Sequence, residues 1–164
     1  MKLYHGSIVK VETPQVIEPV TQRTVDFGNG FYTTTDFEQA ERWARIRQKR
    51  DKIQDGFVSI YETDDDLLQK PNLKCLVFNS ATLEWLQFVM KNRKSSPLQH
   101  DYDIVAGPVA NDKVYTTLTL FEMEQLEAEE AIRHLKTYNL VNQILFHTEK
   151  SLQQLRYTGS EKIQ

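Results

Sequence analysis

A histidine and a tyrosine near the N-terminus stand in settings that could hold a small aromatic ligand. His5 ends a short strand-like segment and is followed by Gly6 and Ser7. A glycine lets a ligand approach the backbone closely, and a serine hydroxyl can donate or accept a hydrogen bond. Tyr32 follows a turn rich in glycine, where its ring could stack on a flat ligand. Singly, each residue also fits an ordinary structural role, but together they favour a heteroaromatic ligand held by backbone hydrogen bonds.

The segments beside these residues predict the elements that must position them. Gly28 and Gly30 mark a turn, and the aromatic and β-branched residues 31–34 indicate a strand. Thr35 and Glu38 have the form of a capping box, which predicts that a helix follows. Three apolar residues of this helix fall on one face at α-helical spacing: Phe37, Ala40 and Ala44.

The rest of the chain mixes strands and helices without a regular alternation. Apolar patterning predicts strands within residues 57–62, 73–78, 102–110 and 142–148. It predicts helices over 83–92, with Ser80 as the cap, and over 118–138, with a break near 125–127. Residues 149–157 are expected to leave the core. This order predicts an α+β domain, and the glycine turn lacks the remaining residues of a dinucleotide-binding or P-loop fingerprint.

Length, charge and cysteine usage limit the classes of protein. The 164 residues indicate a single domain, residues 1–164, and the net charge of −3 disfavours a dedicated nucleic-acid or membrane binder. The one cysteine, Cys75, cannot form an internal disulfide, and no apolar run resembles a signal peptide or a membrane span. We therefore expect a cytoplasmic protein without a membrane partner. The remaining histidines form no ligand pattern with His5, so no metal site is predicted.

Two segments, taken together, resemble the ADP-ribosyltransferase superfamily. They are "LYHGS" at residues 3–7 and "DFGNGFYTTTDFEQAERWA" at residues 26–44. Both are similar to motifs of the branch that includes the poly(ADP-ribose) polymerases and diphtheria toxin, and the whole layout resembles a little-characterised bacterial family of this superfamily. The resemblance implies an α+β split core of two small, strongly bent β-sheets with flanking helices. NAD, the co-substrate, would lie in the cleft between the sheets.

The resemblance also assigns roles to particular residues. His5 would hydrogen-bond the adenine-side ribose of NAD, and the backbone of Gly6 would bind the nicotinamide carboxamide. Ser7 would make a polar contact near the same amide, and Tyr32 would stack on the nicotinamide ring. The expected NAD-binding set is completed by residues of the loop and of the second motif: Arg23, Asp26, Gly30, Phe31 and Thr33. Arg23 and Asp26 could instead order the loop before the glycines.

The third residue of the family triad is Glu, Asp or Gln, and it normally begins a late core strand. In this chain the segment 142–148 offers Gln143, which would hydrogen-bond the 2′-hydroxyl of the nicotinamide ribose. Glu149 is the rival for this role, although it lies after the strand. Both have structural alternatives, an edge glutamine and a glutamate at a helix start after Thr148.

The implied activity is mono-ADP-ribosyl transfer from NAD to a macromolecular acceptor, either protein or nucleic acid. Glutamine at the third position supplies only a dipole to the cationic transition state, which favours transfer of one unit over chain elongation. A bacterial toxin of a toxin–antitoxin pair, with a small antitoxin protein as partner, or a phage-defence effector is the expected role. The alternatives are an NAD glycohydrolase and a catalytically weak module that binds NAD or nicotinamide.

One basic segment stands apart from these motifs. "RWARIRQKR", residues 42–50, lies within the predicted first helix. We interpret it as a solvated helical face, and the alternative is a patch for phosphate or for a nucleic-acid acceptor.

Overall fold

The computed structural model describes residues 1–16, 25–94, 100–108, 112–136 and 142–163, so the predicted NAD-binding residue Arg23 lies outside the described residues. The strands are β1 (Lys2–Ser7), β2 (Phe31–Thr34), β3 (Gly56–Glu62), β4 (Cys75–Val77), β5 (Ile104–Pro108), β6 (Asn142–Phe146) and β7 (Arg156–Ile163). The helices are α1 (Phe37–Asp51), α2 (Leu83–Lys94), α3 (Asp112–Glu122), α4 (Ala128–Lys136) and α5 (Glu149–Leu152). A short 3-10 turn spans Leu67–Gln69. The predicted α+β class is confirmed.

The seven strands form one sheet in the order β4-β5-β6-β2-β1-β3-β7. Only β4 and β5 run parallel among the paired strands of the described chain. β1 pairs with β3 along its whole length, but with β2 at the single position Tyr4–Thr34. The two separate sheets that the resemblance implies are therefore one sheet here, because this one residue pair joins its two groups of strands.

Helix α1 covers the β1–β3 part of the sheet. Its buried residues Ala40 and Ala44 pack against Val58 of β3 and Ile163 of β7. The close approach depends on Gly6, because a Cβ at that position would lie 1.8 Å from the carbonyl oxygen of Ala40. Glycine at position 6 therefore has a packing function in addition to any role in ligand binding.

The same face of the sheet carries a second core beneath α2, α3 and α4. Directly paired residues of neighbouring strands share a face, so Tyr32 of β2 and Leu145 of β6 point the same way. Leu145 and Val105 pack there against Trp85 of α2 and Leu135 of α4. The opposite face carries a third cluster around Phe31. The helices α1 and α2–α4 thus lie on the same face of the sheet.

Two predicted helix caps are wrong by one or two residues, and one strand was not predicted. The N-cap of α1 is Asp36, whose side chain accepts a hydrogen bond from the Gln39 amide, rather than Thr35. At α2, the Thr82 hydroxyl accepts from the Trp85 amide, whereas Ser80 lies further upstream. Beyond α5 the chain returns to the sheet as β7, so the expectation that residues 149–157 leave the core is wrong for the segment that begins β7.

No helix among the described residues has both the length and the apolar character that a membrane span requires.

Candidate active site

A cleft of roughly 690 Å³ opens where β1 and β2 diverge beyond the Tyr4–Thr34 pair. Its volume lies within the range that is typical of small-molecule sites. The end of β1 contributes His5, Gly6 and Ser7, and the turn before β2 and its first residues contribute Gly28, Asn29, Gly30, Phe31 and Tyr32. The fold thus brings the specific parts of both sequence motifs into one cavity.

His5 is fixed in the wall of this cleft by contacts on two sides. Its Nδ1 lies 2.7 Å from the backbone carbonyl oxygen of Tyr32, and its ring stacks on Phe31 with 4.3 Å between centroids. A carbonyl oxygen can only accept, so Nδ1 carries the proton and Nε2 of the neutral ring is an acceptor. Burial lowers the pKa of His5 to about 4, the hydrogen bond to Tyr32 opposes this shift, and nearby Arg47 lowers the pKa further. The imidazole is therefore neutral at physiological pH.

This lowered pKa predicts that the protein loses stability as the pH falls from about 6.5 towards 4. In that range the unfolded chain binds a proton at His5 and the folded chain does not, so the stabilisation that is complete above pH 6.5 is lost progressively. We expect a contribution of about 2 kcal/mol to the free energy of unfolding, allowing for partial solvent contact. Urea unfolding at a series of pH values measures it.

The variant His5→Asn, which keeps a hydrogen-bond donor near the Nδ1 position, should flatten this dependence. Part of the slope should remain in His5→Asn, because burial also lowers the pKa of His100. An identical slope in wild type and His5→Asn would contradict the prediction.

Tyr32 is half-buried and links the cleft to the glycine turn. Its hydroxyl donates to the carbonyl oxygen of Gly28 at 2.6 Å and accepts from the amide of Phe27 at 3.2 Å. The ring packs partly against the core beneath α2–α4 and also lines the cleft. Tyr32 therefore presents a ring whose orientation is fixed by its own turn.

The turn itself requires glycine. Gly28 has φ 94° and Gly30 has φ 143°, both in the region that side chains rarely adopt. A Cβ at Gly30 would also lie 2.4 Å from the carbonyl oxygen of Phe146 in β6. This close approach lets β2 pair with β6 and start at the edge of the cleft.

Two histidines for which the sequence predicted no role form hydrogen bonds with the backbone of this turn. His100 donates from Nε2 to the carbonyl oxygen of Phe27 at 2.8 Å, and His147 donates from Nδ1 to the carbonyl oxygen of Asn29 at 2.6 Å. Their rings lie 4.3 Å apart between centroids. Both hydrogen bonds form across long sequence separations, and the sequence carries no local signal for them.

Gln143 shares a sheet face with Tyr32 but does not line the cleft. It pairs with Thr34 in β2, two residues from Tyr32, and its side chain is 4% exposed. Its Nε2 donates to the carboxylate of Asp26 at 3.4 Å, and Asp26 is itself buried. The predicted residues Gln143 and Asp26 therefore contact each other, and both are buried.

Two further predicted residues lie away from the cavity. Thr33 is fully buried, and its hydroxyl donates to the carbonyl oxygen of Ile144 in β6. Glu149 is the exposed first residue of α5, after the N-cap Thr148, and Ser151 completes the capping box. The structure therefore places Glu149 at a helix start, which was its structural alternative, and outside the lining of the cleft.

A further part of the cleft wall comes from α1, beside residues of the loop that follows β1. Trp43, Ile46, Arg47 and Arg50 follow the i, i+3, i+4, i+7 spacing of one helical stripe, and all four line the cavity. Arg47 Nη1 donates to Ser7 Oγ at 3.3 Å, which joins the stripe to the end of β1. The stripe belongs to the predicted solvated face of residues 42–50, since Ile46 and Arg50 are exposed, and it also lines the cleft.

The Cys75 thiol is a poor candidate for a nucleophile, and the described residues contain no candidate metal cluster. Burial raises the pKa of the Cys75 thiol, with a further contribution from the carboxylate of Asp103, which disfavours a nucleophilic thiolate. Among the described residues, no group of three or more histidine, cysteine, aspartate or glutamate side chains could hold a metal ion.

Comparison with known proteins adds one family. A family model described as a protein of unknown function (DUF3990) matches residues 1–157, which span β1 to the first residues of β7. No curated protein and no solved structure matches the chain. The matched residues include both walls of the cleft.

Proposed function

We propose that this chain, which belongs to the DUF3990 family of unknown function, is an NAD-dependent mono-ADP-ribosyltransferase with a macromolecular acceptor. The observation that carries the proposal is the cleft between β1 and β2, which is lined by His5, Gly6 and Ser7 on one side and by Phe31 and Tyr32 on the other. These are the residues for which the sequence resemblance implies contact with NAD.

The state of His5 supports a contact with ribose. Its Nδ1 is engaged with the Tyr32 carbonyl, and the ring is neutral, so Nε2 can accept a hydrogen bond from a ribose hydroxyl. A cationic imidazolium, in contrast, could only donate. The lowered pKa of His5 therefore suits the proposed role.

The arrangement around Tyr32 supports binding of the leaving group. A ring held by its hydroxyl at Gly28 can stack on nicotinamide with little loss of conformational freedom. The end of β1 is unpaired with β2 beyond Tyr4, which leaves room for the carboxamide beside Gly6. Loss of nicotinamide then creates an oxocarbenium-like ribose that the acceptor attacks.

The buried position of Gln143 favours slow transfer of a single unit. A neutral amide that is hydrogen-bonded to Asp26 offers no free carboxylate to the reacting ribose. The same observation supports a second candidate function, a catalytically weak module that binds NAD or nicotinamide. An NAD glycohydrolase, in which water replaces the acceptor, shares the same binding mode.

For the cellular role we propose a toxin, acting in a toxin–antitoxin pair with a small antitoxin protein or as a phage-defence effector. This part rests on the resemblance to the superfamily, because a fold or cleft alone does not specify an acceptor.

Incubation of the purified protein with NAD labelled in the adenosine half, in the presence of a bacterial lysate, tests the proposal. Label on protein or nucleic acid is the expected result. Free ADP-ribose without a labelled macromolecule would replace the transferase by a glycohydrolase. Binding without turnover would leave the weak module, and no binding at all would refute the proposed site.

A pair of substitutions tests which residue takes the third triad position. We expect Gln143→Ala to lower NAD turnover at least about tenfold, provided that Gln143 exchanges its long contact with Asp26 for a hydrogen bond to the ribose when NAD binds. Glu149→Ala should leave turnover unchanged, because this side chain is exposed at the start of α5. Initial rates of nicotinamide release measure both, and the reverse pattern would move the role to Glu149.

A further inference from the structure

We infer that Arg47, supported by Arg50, forms a binding subsite for the diphosphate of the dinucleotide. The inference rests on the proposed function and adds to it the part of the ligand that no motif residue accounts for. It concerns the α1 stripe, defined as Trp43, Ile46, Arg47 and Arg50.

The charge of the cleft supports an anionic ligand group. Among the described residues that line the cavity, the arginines of the α1 stripe are the only charged side chains, and none of these lining residues is acidic. This contrasts with the whole chain, whose net charge is −3. Low-dielectric walls around a cation strengthen its attraction for an anion. In a dinucleotide the diphosphate is the anionic part.

The position of Arg47 fits a group that adjoins the nicotinamide side. Its Nη1 donates to Ser7 Oγ, next to Gly6, where the carboxamide would bind. The diphosphate links the two riboses, so a cation in the same cavity as His5 and Tyr32 can reach it. The planar guanidinium can donate two parallel hydrogen bonds to phosphate oxygens, which an ammonium group cannot do.

Arg50 has a smaller share because an adjacent carboxylate holds its guanidinium through two hydrogen bonds. Its Nε and Nη2 donate to the two carboxylate oxygens of Asp51 at 2.7 Å and 3.0 Å, and this pair also raises the pKa of Arg50. Its charge at the rim of the cleft is thus partly compensated. Trp43 and Ile46 provide the apolar surface beside the two arginines, and Ile46 is 57% exposed.

Isothermal titration of the full-length protein with NAD, ADP-ribose and nicotinamide tests the subsite. We expect Arg47→Gln to weaken binding of NAD and ADP-ribose by about tenfold or more, since charge-assisted hydrogen bonds are lost. Nicotinamide, which has no phosphate, should bind within twofold of wild type. Arg45→Gln removes the same charge from an exposed position of α1 that pairs with Glu41, and should leave all three affinities unchanged.

The outcomes separate this inference from the proposed function. If wild type binds NAD but Arg47→Gln binds ADP-ribose normally, or loses nicotinamide equally, the subsite is overturned and the proposed function stands. If wild type binds neither NAD nor nicotinamide, the proposed function itself fails. Circular dichroism checks the fold of Arg47→Gln. Should it unfold, Arg47→Lys carries the test, with a selective loss of ADP-ribose affinity expected and an unselective one contradicting the inference.

Discussion

Replacing Tyr32 with alanine is expected to weaken NAD binding by about 10- to 100-fold and to lower turnover at least as much. Stacking of an aromatic side chain on a flat heterocycle contributes roughly 1–3 kcal/mol, which corresponds to this range of affinity. The ring is already oriented by hydrogen bonds between its hydroxyl and the backbone of Phe27 and Gly28, so little of the stacking energy is lost in ordering it. Titration with NAD and nicotinamide-release rates measure the two effects.

Tyr32→Phe is the matched control for this experiment. It keeps the ring and removes the hydroxyl, so the turn loses two hydrogen bonds while the stacking surface remains. We expect an affinity within about fivefold of wild type, an effect well below that of alanine. A folded Tyr32→Ala protein with unchanged NAD binding would refute the assignment of the whole site.

Gly6→Ala is expected to lower the free energy of unfolding by at least about 3 kcal/mol. The new Cβ would lie 1.8 Å from the Ala40 carbonyl oxygen and 2.9 Å from the Ala44 amide nitrogen, both of which are backbone atoms of α1. The helix would have to move away from β1, which opens the packing among Ala40, Ala44 and Val58. Urea unfolding or a thermal melt measures the loss.

Gly56→Ala, in the adjacent strand β3, is the comparison. Its Cβ would meet the side chains of Gln48 and Ile163 at 2.7 Å, and these ends of flexible groups can shift. We expect a loss of about 1 kcal/mol or less in this variant. Equal losses in the free energy of unfolding of both variants would show that the close packing of the α1 backbone on position 6 is not the reason for glycine there.

The elements that bury a clear apolar pattern are the ones that sequence reasoning predicts well. Strands β2, β5 and β6 fall where their apolar residues indicate, and the predicted break near 125–127 separates α3 from α4. In each case burial requires apolar residues at regular spacing, and this periodicity can be recognised in the sequence without knowledge of the rest of the fold. The helix caps were displaced because Asp36 competes with its neighbour Thr35, and both are good capping residues.

Strand β7 shows why a pattern can fail. Among its eight residues only Ile163 is buried, so the segment carries almost no apolar signal. Its structure comes from backbone pairing with β3 along the edge of the sheet, with Tyr61 opposite Tyr157 and Gly56 opposite Ile163. Pairing with a distant strand is not encoded in the periodicity of an edge strand.

The candidate site divides in the same way. His5 and Tyr32 could be predicted as members of one site, because each lies in a short segment with a recognisable local motif. The burial of Gln143 against Asp26, and the supporting histidines, depend on contacts across more than a hundred residues or across the sheet. Arg47 could have been found from its spacing to Trp43 and Arg50, but the sequence alone does not say which face of a basic helix meets a cavity.

The strands β2 and β3 pair with strands far along the chain, and this has a consequence for the folding rate. The Thr34 hydroxyl at the end of β2 donates to the carbonyl oxygen of Asn142, 108 residues later, and Ile60 of β3 accepts from Thr158, 98 residues later. Closing such loops before any contact forms is slow, so high contact order should dominate the folding rate. During synthesis, β1 and β2 emerge early but stay without their outer partners until β6 and β7 leave the ribosome. A nascent chain from which β6 and β7 have not yet emerged should therefore lack the proposed NAD site.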